Sequence, residues 1–147
     1  MALYTRILVA IDLEANSLQV ARHARDLASA LGAELHLVHV VRPVLISTPM
    51  PPQPVAPDAM MNMVEVSRQA QRQMEGLANE LGLRDGQWQV IEGNVKDEIL
   101  RAATELGVDL IVIGNREQHG LALLWRQTDD AVAQRAPCDV LEVRIRD

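Results

Sequence analysis

The sequence predicts an α/β domain, a parallel sheet with helices packed on both of its faces. Three observations carry that prediction. Short branched apolar runs alternate with amphipathic helical periods along the chain, and helical crossovers between strands imply parallel pairing. One run, Val108-Asp109-Leu110-Ile111-Val112-Ile113-Gly114, stops at a glycine and gives way to the polar stretch Asn115 to Gly120. The length of 147 residues suits one domain with a real core, taken here as 1–147.

The elements follow in order. Arg6 to Asp12 reads as a buried central strand, apolar on both faces. Asn16 or Ser17 is placed to cap the next helix, with Gln19 completing a capping box. Val20, Ala21, Ala24, Leu27, Ala28 and Leu31 form its apolar face, and Gly32 ends it. Glu34 to Val41 is the second strand. Six of the seven prolines then fall between Pro43 and Pro57, so a long surface loop is expected at 43–57. Its Pro-x-x-Pro spacing suits either a plain spacer or a docking site for an SH3-like partner.

The helical period returns from Asp58 to Leu81, with Met60, Met63, Val64, Ala70, Met74, Leu77 and Ala78 on the face expected to pack on the sheet. Gln87 to Glu92 alternates like a strand near a sheet edge. Asn94 caps a short helix whose buried face is Val95, Ile99, Ala102, Ala103 and Leu106. After the strand at Val108–Gly114, a fourth helix is expected from Leu121 to Val132, closed by Pro137. Cys138 to Ile145 makes a fifth strand.

Composition excludes several classes of function. Apolar residues are 48 % and charged residues 23 %, and no apolar run approaches the ~20 residues a membrane-spanning helix needs. The formal charge of −6 argues against a nucleic-acid partner, as does an aromatic set of Tyr4, Trp88 and Trp125 alone. No signal peptide is evident, and a lone cysteine forms no internal disulfide, so the cytoplasm is the expected compartment. His36 and His39 are three apart on a strand and point to opposite faces, so they do not chelate one ion. His23 and His119 read as surface residues and Cys138 as an inert thiol. No catalytic triad or carboxylate pair stands out, and the chain is expected not to be an enzyme.

Five segments carry a family resemblance. Arg6–Asp12 resembles the first strand of the universal stress protein family, Leu35–Val40 its second, and Glu92-Gly93-Asn94 its third strand-to-helix turn. Val108–Gly114 and Arg135-Ala136-Pro137-Cys138-Asp139-Val140-Leu141 are similar to its most recognisable signatures. The resemblance implies a five-stranded doubly wound sheet in the order 3-2-1-4-5, of the adenine nucleotide alpha hydrolase-like type. It also implies a homodimer built with the last strand, and a role in stress response through association with protein partners.

Nucleotide-binding members of that family carry Gly-x-x-Gly, nine further residues, then Gly-Ser or Gly-Thr, because glycines let backbone N–H groups close on phosphates. Here Gly114 matches the first glycine. Glu117 replaces the second, Gly120 does not restore the spacing, and the later pair falls on Arg126-Gln127 or Gln127-Thr128. The resemblance thus points to the universal stress protein A branch, which lacks the motif, and to no cofactor. The alternative is an ATP- or AMP-binding sensor or slow ATPase using ATP with Mg. On that reading Asp12, Val40, Val41, Gly114, Arg116, Gly120, Gln127 and Thr128 bind the nucleotide, with Arg116 and Arg126 pairing with phosphate.

Overall fold

The computed structural model describes residues 2–43, 57–115, 132 and 134–146. They form β1 (Arg6–Ala10), α1 (Ser17–Leu31), β2 (Glu34–Val41), α2 (Pro57–Leu81), β3 (Trp88–Glu92), α3 (Val95–Leu106), β4 (Leu110–Asn115) and β5 (Asp139–Arg144). All the strand pairs are parallel, in the order β3-β2-β1-β4-β5.

Alternation of side chains across the sheet builds two cores. Ile7, Val9 and Ile11 of the first strand join Leu35, Leu37, Leu110 and Val112 under α1 and α2, where Val20, Ala21, Ala24 and Met74 close the layer. Leu8 and Ala10 turn the other way and join Val38, Val40, Ile111 and Ile113 beneath Ile99, Ala102 and Ala103 of α3. β1 is therefore apolar on both faces because both faces are covered. The last strand is half-exposed, as an edge should be.

Helix ends follow local chemistry in three cases and depart from it in one. Gly32 and Gly107 both end helices at positive φ, 68° and 64°, where a side chain would be strained. Asn94 caps α3 by accepting from the Asp97 N–H at 3.2 Å. The capping box expected at Asn16 does not form. Asn16 sits in the left-handed region (φ 66°) and makes no side-chain cap. Gln19 is drawn instead to the chain's end, where its amide donates to the Arg146 carbonyl and accepts from the Arg146 N–H at 3.2 Å.

α2 starts at Pro57, one residue earlier than the periodicity predicts. The first turn tolerates proline, whose missing N–H would have no partner there anyway. Met74 is fully buried, but Val64 is 57 % exposed and Val66 52 %. Val64 was expected on the sheet-facing side, but the buried positions of α2 are Ala70, Met74, Ala78 and Leu81, further along the helix. The fourth helix and residues 44–56 of the proline-rich loop lie outside the described residues, apart from Val132, which is helical and fully buried in the α3-side core.

The N-terminal ends of the strands are fastened by one carboxylate. Asp109 accepts from the Thr5 N–H at 2.8 Å, the Thr5 hydroxyl at 2.9 Å and the Arg6 N–H at 3.0 Å. Burial works to raise its pKa, but these donors outweigh burial and hold the carboxyl below its ordinary value. Nearby, Tyr4 donates to Asp139 at 2.7 Å and ties the chain's start to the last strand.

Candidate functional site

The opposite, C-terminal ends of the strands define the site. β1 and β4 are neighbours, yet the chain leaves β1 for α1 on one face and reaches β4 from α3 on the other. Such a reversal leaves a crevice beyond the strand ends, where ligands bind in open α/β sheets.

Register brings two expected residues together there. Ala10 pairs with Ile113, so Asp12 and Gly114 extend from adjacent strands at the same end. Asp12 is half-buried, and its Oδ1 accepts from the Glu14 N–H at 3.0 Å, which closes the turn out of β1. Gly114 has a packing reason to lack a side chain. A Cβ there would lie 2.8 Å from Ile145 Cδ1 and 2.9 Å from Val20 Cγ2, both closer than carbon atoms approach. No phosphate is needed to account for this glycine.

The two valines are separated rather than gathered. Val40 is buried on the α3 side. Val41 leaves β2 on the α2 side, where it lines a cleft of about 60 Å³ with Arg42, Pro43, Met63, Val66 and Glu92. Ser67 donates to Glu92 at 2.6 Å in the wall of that cleft. Arg116, Gly120, Gln127 and Thr128, together with Glu117, Arg126 and His119, lie outside the described residues.

His39 belongs to this end of the sheet, and sequence reasoning set it aside. Its Nδ1 lies 2.7 Å from the Ile11 carbonyl, one residue before Asp12. Burial pushes the His39 imidazole below its ordinary pKa, and the hydrogen bond to Ile11 with the carboxylates of Asp12 and Glu14 recovers only part of that shift. The available signal was positional: a histidine two residues before the end of β2, the strand that flanks β1. His36 points to the other face and meets Glu34 at 3.1 Å, so the two histidines are indeed apart. Among the described residues no cluster of His, Cys, Asp or Glu is placed to hold a metal ion. Cys138 has its thiol pushed up in pKa by burial and by the nearby Asp139 and Asp109 charges, so it is a poor nucleophile at neutral pH. No helix among the described residues is long and apolar enough to cross a membrane.

A doubly wound parallel sheet with a reversal of direction between β1 and β4 defines a Rossmann-like α/β fold. Comparison with known proteins then identifies the family. The model of the universal stress protein family matches residues 3–144, and the chain belongs to that family. It is 33 % identical over 144 residues to universal stress protein A homolog 2 of Coxiella burnetii, covering 97 % of each chain. It is 31 % identical to universal stress protein YxiE of Bacillus subtilis, over 97 % of this chain and 100 % of that one.

Solved structures agree on the fold. Universal stress protein UspA from Lactobacillus plantarum superposes with a TM-score of 0.68 at 22 % identity, over 96 % of this chain and 98 % of its own. A universal stress protein in complex with cAMP gives 0.63 at 24 % identity, over 97 % and 98 %. Family membership carries a role in stress response. Universal stress proteins are typically oligomeric and are generally not catalysts with dedicated machinery.

Proposed function

We propose that this chain is a cytoplasmic stress-response protein of the universal stress protein A type, working as a homodimer that associates with other proteins and not as an ATP binder or an enzyme. The observation that carries this reading is the packing of Gly114. Its absent side chain makes room for Ile145 and Val20, so the one glycine kept from the phosphate-binding pattern serves the core. In sequence, Glu117 stands where the phosphate-binding pattern has its second glycine, and a carboxylate repels a phosphate.

Dimerisation is supported by the position of β5 at the end of the sheet order. The Ile145 N–H donates to Asn115 at 3.1 Å, so by alternation the N–H groups of Leu141 and Val143 point toward β4 and that of Glu142 points outward. An outward row of donors and acceptors invites a second strand. Sedimentation equilibrium tests this: the expected mass is twice the chain's 16.3 kDa. Glu142→Pro, which removes an outward donor and none of the β4 ladder, should shift the equilibrium to monomer. A monomeric wild type at micromolar concentration would overturn the proposal.

A second reading keeps a nucleotide, ATP with Mg or AMP, at the crevice. It is favoured by the placement of Asp12 beside Gly114 at the β1/β4 reversal. The description of a fold neighbour in complex with cAMP makes cAMP, with AMP, a sensible calorimetric probe. Heat of binding that disappears in Asp12→Ala would favour this second reading.

A further inference from the structure

We propose that two copies of this chain pair antiparallel along β5 with Val143 on the two-fold axis, so that Leu141 of each copy backs Ile145 of the other. The inference rests on the homodimer proposed above. It adds the register, which fixes what the second copy contributes to the candidate site.

The edge has definite limits and two distinct faces. The Ile145 N–H donates to the Asn115 carbonyl at 3.1 Å, so the pairing with β4 runs on to that residue. Beyond it, Gln19 engages both the carbonyl and the N–H of Arg146, whose backbone is committed elsewhere. By alternation Val140, Glu142 and Arg144 turn their backbone groups outward. Their side chains share the α3 face, where Val140 packs. Leu141, Val143 and Ile145 lie on the other face, half-buried against the α1-side core.

Antiparallel strands oppose outward residues to outward and inward to inward, so a two-fold axis must pass through a residue. An axis at Glu142 engages the outward groups of Val140 as well, but it sets two carboxylates directly opposite each other. An axis at Arg144 does the same with two guanidinium groups. Axes at Val140 and Leu141 oppose Asp139 to Leu141 and to Val143. With the axis at Val143, Glu142 faces Arg144 twice, and Leu141 faces Ile145 twice. Val143 then meets its own copy, and every directly opposed pair from Leu141 to Ile145 is matched in charge or polarity.

This register reaches the candidate site. Ile145 Cδ1 stands 2.8 Å from the place of a Cβ on Gly114. Leu141 of the second copy is set beside that same isoleucine, so the partner supports the residue that closes over Gly114.

Disulfide trapping tests the register in a Cys138→Ala background, with Val143→Cys and Leu141→Cys made separately and treated with oxidised glutathione. At a non-hydrogen-bonded pair the opposed Cα atoms are about 4.5 Å apart, within disulfide reach. Val143→Cys should give a covalent dimer, whereas Leu141→Cys should do so only when combined with Ile145→Cys. A covalent dimer from Leu141→Cys alone, with none from Val143→Cys, would move the axis and overturn the register. A protein that sediments as a dimer yet cross-links at neither position also overturns it. A wild type that sediments as a monomer removes the homodimer reading itself, an outcome seen without any variant. If the cysteine variants do not fold, mixed-label wild type decides by isotope-filtered NOEs. Methyl contacts between Leu141 and Ile145 of different copies are expected, since within one strand the two are about 13 Å apart. Their absence from a dimer refutes the pairing.

Discussion

Ile145 fills the space that a side chain on Gly114 would need: a Cβ built there stands 2.8 Å from its Cδ1. The residue following β5 thus reaches back over β4 and fixes a glycine in the middle of the candidate site, joining the family's strand-4 signature to the sheet's last strand.

Gly114→Ala should destabilise the protein by ~1–3 kcal/mol with no ligand present, because Val20 and Ile145 both have to move. Urea unfolding measures it. Shortening the obstructing residue should recover part of the loss, so Gly114→Ala with Ile145→Val is expected to be more stable than additivity of the single changes predicts. A neutral Gly114→Ala would mean that packing does not explain the glycine.

Asp109→Asn should lower stability by ~2 kcal/mol at pH 7, since an amide NH₂ then faces one set of the Thr5 and Arg6 donors. The pH dependence has a definite sign. The folded carboxyl lies below its ordinary value, so its contribution is present above about pH 4 and is lost as pH falls through the folded value. Wild type and Asp109→Asn should therefore converge in acid. A constant difference from pH 7 to pH 2 would contradict the clamp.

α2 offers a contrast between its two halves. Met74→Ala empties a fully buried position and should cost about 2–5 kcal/mol, whereas Val64→Ala should stay within roughly 0.5 kcal/mol. Thermal melting of the two variants compares them directly. A large loss at Val64 would show that its surface is covered in solution, by a second protomer for instance.

These contrasts also separate what the sequence could and could not tell. Strands and helices were legible because burial imposes periodicity: Ile7 through Ile11 are apolar without a break, and Ile99, Ala102 and Ala103 recur at helical spacing. Strand order followed from resemblance and agrees with the register of β1 between β2 and β4. Asn16 misled because its capping role depends on a backbone conformation fixed by the loop, not by residue type. Val64 misled because apolar spacing says which face is buried but not how far along the helix the burial extends. The Asp109 clamp and the His39–Ile11 bond join residues far apart in the chain, and no local pattern announces either. Asp12 and Gly114 were placed at the right end of the sheet by strand polarity alone. The divergence of Val40 and Val41 was implicit in strand alternation.

The most direct measurement is the melting temperature of the purified protein titrated with Mg·ATP. A ligand bound with micromolar affinity and supplied at millimolar concentration would add about 4 kcal/mol and raise the midpoint by several degrees. The account predicts no shift beyond that produced by Mg with inorganic phosphate. A saturable rise with ATP, abolished in Asp12→Ala, would contradict it and establish the crevice between β1 and β4 as a working nucleotide site.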